Sequence, residues 1–154
     1  MARKRRNVTL DSNVLIGWLL SKKDDSVVRK VVIKSVNEDR LMLTDVIYAE
    51  CLKHADGRKA RISKEEIAAK LKGICPELIR ITPIPPEDEL AERYRIRDKT
   101  DLKILYSVEI TESVILVTYD KDFFGDVWGV KAEILRPGDY LCEKEVSKGG
   151  PGQI

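Results

Sequence analysis

The chain has a single histidine, His54, and only three cysteines, Cys51, Cys75 and Cys142, so no cluster of His and Cys competes for a softer metal. The cysteines are odd in number, widely spaced and without a CxxC pair, which argues against a disulfide framework or a zinc knuckle and fits free thiols in a reducing compartment. No apolar run approaches the roughly 20 residues that a bilayer-spanning helix needs. The stretch "VLIGWLL" follows basic residues as a signal peptide would, but Asp11 and Asn13 interrupt the approach and no A-x-A site follows. The expectation is a cytoplasmic protein with no membrane partner. Neither sign of charge dominates: 28 Lys and Arg against 26 Asp and Glu give a net charge of +2, which argues for neither a polycationic coat nor an acidic tail. Internal repeats and domain-sized linkers are absent as well.

What is present is one domain's worth of chain. At 154 residues, 43% hydrophobic and 35% charged, the sequence has room for a real core without help from disulfides or metals. Arg3, Lys4, Arg5 and Arg6 form a basic arm over residues 1–7, readable as a phosphate-binding segment or as a solubilising terminus. Residues 8–143 carry the structured pattern, and residues 144–154, with "SKGGPGQI", read as a flexible tail.

Strand and helix signals alternate along residues 8–143. Residues 8–10, 41–43, 78–81, 114–117 and 132–135 read as short strands, the last ended by Pro137-Gly138. Helices are expected from Asn13 to Leu20, after Asp24, Asp25 or Ser26 as the cap with Val28, Val31, Val32 and Val36 on the apolar face, and after Thr44 or Asp45. Further helices are expected after a Ser63/Glu66 capping box with Gly73 as the stop, over residues 86–97, and from about Asp101. The fold class that follows is α/β: a three-layer α/β/α sandwich around a mainly parallel sheet.

Four acids sit where a simple fold would not place them. In open α/β sheets ligands bind beyond the carboxyl ends of strands, and Asp11 and Asp120 each follow a strand there. Helical spacing turns Glu50 toward the side of Val46 and Ile47, and Asp101 onto the stripe of Ile104, Leu105 and Val108. Each acid also has a plain structural reading: a helix cap for Asp11, a first-turn helix acid for Asp101, an Asx turn for Asp120, a buried ion pair with Lys or Arg for Glu50. Four such carboxylates together would repel one another unless a cation binds them, and oxygen ligands favour Mg²⁺ or Mn²⁺. His54, one turn after Glu50, is a weaker candidate for the same site.

The segments "VTLDSNVLI", "TDVIYAECL", "TDLKILYSVEI" and "VILVTYDKDF", in that order, resemble the PIN-domain family, including the VapC-type toxins of prokaryotic toxin–antitoxin pairs. The closing "ILRPGDYL" resembles the family's last strand, Pro-led turn and short helix. The resemblance implies a three-layer α/β/α fold and a metal-dependent ribonuclease, with Asp11, Glu50, Asp101 and Asp120 as the catalytic and metal-binding acids for Mg²⁺ or Mn²⁺. Asp122 is an auxiliary metal ligand in this reading, Asp98 is a rival to Asp101, and Asn13 and Thr118 are supporting polar residues. The implied partners are an RNA substrate, a small antitoxin protein and a second copy of the chain in a homodimer.

The function expected is endoribonucleolytic cleavage of RNA by metal-activated water. Arg97, Lys99, Lys103 and Lys121 are candidate phosphate contacts, and Trp18, Trp128 and Tyr119 candidate stacking residues, each weighed against a solvated or core role. The alternative is a catalytically silent PIN-like module that binds RNA or protein. A haloacid-dehalogenase-type phosphoryl transferase ranks last, since Asn13 stands where that pattern needs its second Asp, and a receiver-type phospho-acceptor would cluster its acids early.

Overall fold

The computed structural model describes residues 4–23, 25–56 and 61–143. Arg3, most of the "DGRK" break and the tail from residue 144 lie outside the described residues.

Four short strands form one parallel sheet in the order β2-β1-β3-β4: β1 (Asn7–Leu10), β2 (Arg40–Met42), β3 (Ile115–Val117) and β4 (Glu133–Leu135). All three pairings are parallel, with Val8 opposite Leu41 on one side of β1 and Ile115 on the other. Parallel strands need crossovers. Among the described residues, α1 (Ser12–Leu20) and α2 (Val27–Asn37) link β1 to β2, and α3 (Asp45–Lys53), α4 (Lys64–Ile74), α5 (Glu87–Arg93) and α6 (Leu102–Ile110) link β2 to β3; a 3-10 turn over Lys121–Phe124 lies between β3 and β4, and α7 (Pro137–Leu141) follows β4. The three-layer α/β/α arrangement expected from the alternating pattern is therefore the one that forms. β3 reads as an unbroken apolar run because all three of its residues are buried.

Helix starts follow the capping residues. Ser26, Thr44 and Ser63 each accept a bond from the backbone N–H three residues on, closing the first turns of α2, α3 and α4. Asp11 caps α1 through a bond from the Ser12 N–H. The α2 stripe packs Val31 and Val32 into the core, with Val36 partly buried beside them.

Four elements differ from expectation, each for a visible reason. Residues 78–81 form no strand; Ile79 makes one parallel bridge to Thr44, and the next donors, the N–H groups of Ile81 and Thr82, go instead to the Asp45 carboxylate. The ladder stops because its donors are taken. The helix expected over residues 86–97 ends at Arg93, because Tyr94 turns extended and Arg95 pairs antiparallel with Trp128. From there Tyr94 and Ile96 are buried while Arg95 and Arg97 face solvent, the period-two signature of extended chain. Gly73 lies inside α4, which runs on to Ile74 and ends before Pro76. Pro137 does more than end β4: it opens α7 as a first-turn proline.

The basic arm is partly structural. Arg6 bonds Asp39 through Nε at 3.0 Å and Glu143 through Nη2 at 2.8 Å, and the Tyr140 hydroxyl donates to the fully buried Asp39 at 2.6 Å. Arg6 is thereby committed to holding β1, α2 and α7 together rather than offered to phosphate. Its pKa rises through the Glu143 bond, and Asp39, despite its burial, is held below the usual carboxylate range by Arg6 and Tyr140.

Candidate metal centre

The register of the two central strands builds the site. Leu10 stands opposite Val117, and the Asp11 N–H continues the ladder by donating to the Val117 carbonyl at 2.9 Å. Asp11 and Thr118 consequently emerge side by side at the carboxyl edge of the sheet. Here the chain leaves β1 for β2 on one side and returns in β3 on the other, the kind of crevice in which α/β proteins bind ligands.

Asp11 is 4% exposed, and three donors converge on its carboxylate. Oδ1 accepts from the Ser12 N–H at 2.7 Å; Oδ2 accepts from Thr118 Oγ1 at 2.9 Å and from Asn13 Nδ2 at 3.3 Å. Thr118 is completely buried, and its Oγ1 also receives the Asp120 N–H at 3.0 Å, so one hydroxyl ties the acid of β1 to the loop after β3. The Asn13 carbonyl oxygen accepts the Tyr119 N–H at 3.2 Å. Burial pushes the Asp11 carboxyl up to about 6; the Thr118 and Ser12 bonds oppose the rise, and the charges of Glu50 and Asp120 add to it.

Glu50 reaches this group from α3. Its Oε1 accepts from Ser12 Oγ at 2.8 Å and its Oε2 lies 3.3 Å from Lys103 Nζ. The lysine ion pair considered for Glu50 is thus present, but both side chains are partly exposed, at 27% and 38%, so the pair is a weak, exchangeable one.

Asp101 stands between a 3-10 turn over Lys99–Asp101 and α6. It makes no side-chain capping bond, and its Oδ2 is buried with no hydrogen-bond partner among the described residues. Burial pushes its carboxyl up to about 7, followed by the charges of Asp120, Asp98 and Asp11. On the α6 stripe, Ile104, Leu105 and Val108 are all buried, so the packing of that helix fixes which way Asp101 points.

Asp120 makes the Asx turn foreseen for it, accepting from the Asp122 N–H at 3.0 Å. Asp98 accepts from the Thr100 N–H and hydroxyl, at 3.0 and 2.8 Å, and the Thr100 backbone bond lowers its pKa. Arg97 Nη1 lies 3.7 Å from Asp122 Oδ1.

Among the described residues, the ligand atoms that come within 4.8 Å of one another belong to Asp98, Asp101 and Asp122, rather than to the quartet Asp11, Glu50, Asp101 and Asp120. The two sets share Asp101. The quartet is joined by mutual repulsion across a wider crevice: Asp11 feels Glu50 and Asp120, and Asp101 feels Asp120 and Asp11. His54 is exposed at the end of α3, where its backbone N–H closes the helix, and is not part of the acid group. Ser12 was not foreseen as a site residue. Its place between Asp11 and Asn13 at a strand end is the signal that could have found it.

This donor set fits a hard divalent cation. The acids offer carboxylate oxygens, one of which is buried with no hydrogen-bond partner among the described residues, and burial and neighbouring charges raise the pKa of Asp11 and Asp101, so a cation would relieve both the repulsion and the orphaned oxygen.

Comparison with known proteins agrees with this architecture. One chain of the crystal structure of VapBC2 from Rickettsia felis, bound to a DNA fragment from their promoter, superposes with a TM-score of 0.55 at 18% identity, covering 83% of this chain and 98% of that one. At that identity the likeness speaks to fold. No curated protein sequence matches at a significant level. The PIN domain family model matches residues 8–127, which include every acid of the group described above. The chain belongs to the PIN domain family.

Proposed function

We propose that the protein is a Mg²⁺- or Mn²⁺-dependent ribonuclease, with Asp11, Glu50, Asp101 and Asp120 as its metal-holding acids and Asp122 as an auxiliary ligand. The observation that carries the reading is the buried Asp101 Oδ2, without a hydrogen-bond partner among the described residues and set amid the charges of Asp120, Asp98 and Asp11. When bound, the ion would polarise a phosphodiester and lower the pKa of a water molecule that attacks it.

The chain's own residues supply the geometry. Ser12, Asn13 and Thr118 fix Asp11 through three bonds, and Ser12 Oγ aims Glu50 toward the same point. Lys103 and Arg97, each in a long or exposed pair with a site acid, are free to turn to substrate phosphates. In the balanced reaction, water oxygen bonds to phosphorus and the bond from phosphorus to O3′ breaks. One fragment keeps a 5′-phosphate and the other takes the proton as a 3′-hydroxyl.

The toxin role, with a small antitoxin partner, a homodimer and a cytoplasmic setting, extends this proposal by analogy with VapBC2, to which the fold is similar. Among the described residues no helix is long and apolar enough to cross a membrane. A catalytically silent RNA- or protein-binding module is the second reading, and the Lys103–Glu50 and Arg97–Asp122 pairs favour it, because they give two site acids internal counter-charges.

Cleavage of a labelled single-stranded RNA in Mn²⁺ decides between them. The wild type is expected to cut in Mn²⁺ and to stop in excess EDTA. Asp11→Asn and Asp101→Asn should abolish cutting while the thermal midpoint stays level or rises. Full activity in both variants, or in EDTA, overturns the proposal.

A further inference from the structure

Beside the acid group lies a cavity of about 510 Å³ that the metal reading does not use. Arg95, Arg97 and Lys121 line it together with Asp122 and Asp126. Asp122 is also one of the three closely grouped carboxylates, so cavity and acid group share a wall. Next to it stands Trp128, 47% exposed, with the Arg95 guanidinium 5.4 Å from the centre of its ring.

This corner is built rather than loose. Arg95 and Trp128 exchange backbone bonds, at 3.0 Å from the Arg95 N–H and 3.2 Å from the Trp128 N–H. Gly129 follows with φ of 104°, in the left-handed region, and a Cβ there would lie 2.3 Å from the Arg93 carbonyl oxygen. Only glycine lets the Trp128 segment approach the end of α5 this closely. Tyr94 and Ile96 are buried on the inward side, so Arg95 and Arg97 are forced outward into the cavity.

The cations are available. Arg95 pairs with Asp126 at 3.2 Å and Arg97 with Asp122 at 3.7 Å, but all but Asp122 are more than half exposed, so little is lost when the arginines exchange partners. Lys121 forms no ion pair among the described residues. An exposed indole with a guanidinium over its face is a stacking platform for an unpaired base, and neighbouring Arg and Lys hold the phosphate that follows.

We infer that this cavity is a nucleotide subsite for single-stranded RNA: it seats one nucleotide beside the cleaved bond, its base on the Trp128–Arg95 platform and its phosphate between Arg97 and Lys121. The inference rests on the ribonuclease reading of the adjoining acids and adds the group that positions the strand against them. Arg97, paired with Asp122, is the cation that reaches from the subsite to the acid group.

The test is binding without chemistry. The full chain in EDTA is titrated into a fluorescein-labelled single-stranded RNA of about ten nucleotides, at several salt concentrations, and anisotropy is read. Trp128→Ala should weaken binding about tenfold or more, while Trp128→Tyr, which keeps a ring, stays within about threefold of wild type. Lys121→Gln should reduce the slope of log affinity against log salt by about 0.7. Trp128→Ala binding as tightly as wild type overturns the subsite. Should that variant melt below the assay temperature, an unchanged salt slope in Lys121→Gln overturns it instead. Wild-type cleavage in Mn²⁺ alongside such a failure leaves the ribonuclease standing, whereas a wild type that neither binds nor cleaves the RNA overturns both.

Discussion

Replacing Asp101 with Asn should stabilise the metal-free protein, and by an amount that depends on pH. The Asp101 carboxyl is raised from 3.8 to about 7 by burial and by the charges of Asp120, Asp98 and Asp11. Below pH ~4 both the folded and unfolded chains bind the proton, so the group costs the fold nothing. Between pH ~4 and ~7 the folded state holds a proton that the unfolded state releases, and stability falls as pH rises. Above pH ~7 the full penalty is present. A shift of about 3 units corresponds to roughly 4 kcal/mol at 1.36 kcal/mol per unit. Partial exposure and relaxation of the neighbouring acids halve this to about 2 kcal/mol, or roughly 4–8 °C in thermal midpoint for a domain of this size. Asn keeps the shape and removes the charge, and among the described residues no donor bonds Oδ2 in the wild type. Thermal melts in EDTA at pH 8 and pH 4.5 should therefore show Asp101→Asn well above wild type at the higher pH and only slightly above it at the lower. A saturating divalent ion should reverse the order, since a ligand at a hundred times its Kd adds about 2.7 kcal/mol to the wild type alone. A variant less stable than wild type at pH 8, or equally shifted at both pH values, would refute the claim that repulsion and burial strain this site.

Lys103→Met removes the cation beside Glu50, so it should tighten Mn²⁺ binding a few-fold in calorimetry while slowing RNA cleavage; weaker metal binding would mean that the lysine orients Glu50 rather than competing for it. Gly129→Ala should lower the thermal midpoint, by an amount equivalent to about 2 kcal/mol or more, because the new Cβ meets the Arg93 carbonyl and the residue is left-handed; an unchanged midpoint would contradict the close approach. Asp39→Ala leaves Arg6 with Glu143 alone and takes the acceptor from the Tyr140 hydroxyl, for an expected loss of about 3 kcal/mol in urea unfolding near neutral pH. Asp39 and Glu143 both have lowered pKa values, so that contribution is present above pH ~4 and fades as pH falls through their folded values, and the gap between wild type and variant should close in acid.

How far the sequence could be read depended on whether local chemistry or distant partners decided an element. Caps at Ser26, Thr44 and Ser63 and the apolar run of β3 are local signals, and they placed α2, α3, α4 and β3 to within a residue or two. Residues 78–81 looked like a strand on composition, yet a side chain 36 positions away, Asp45, takes the Ile81 N–H. The alternation of Tyr94, Arg95, Ile96 and Arg97 was visible, but it was absorbed into a preceding helical pattern whose end is set by Trp128 and Gly129, far along the chain. The acids that end strands were legible because a charge after a buried strand is conspicuous. Which acids lie closest was not: the grouping of Asp98, Asp101 and Asp122 depends on how the turn before α6 folds against the loop after β3. Ser12 and the Arg95–Trp128 corner escaped for the same reason, since each is defined by a contact and not by a motif.

Titration of Mn²⁺ into the metal-free protein by calorimetry tests the central claim most directly. A saturable heat is expected for the wild type, carried by the acids at the edge of β1 and β3, and its loss in Asp101→Asn and Asp11→Asn with the fold intact. A wild type that shows no saturable heat, or variants that bind Mn²⁺ as the wild type does, would contradict it.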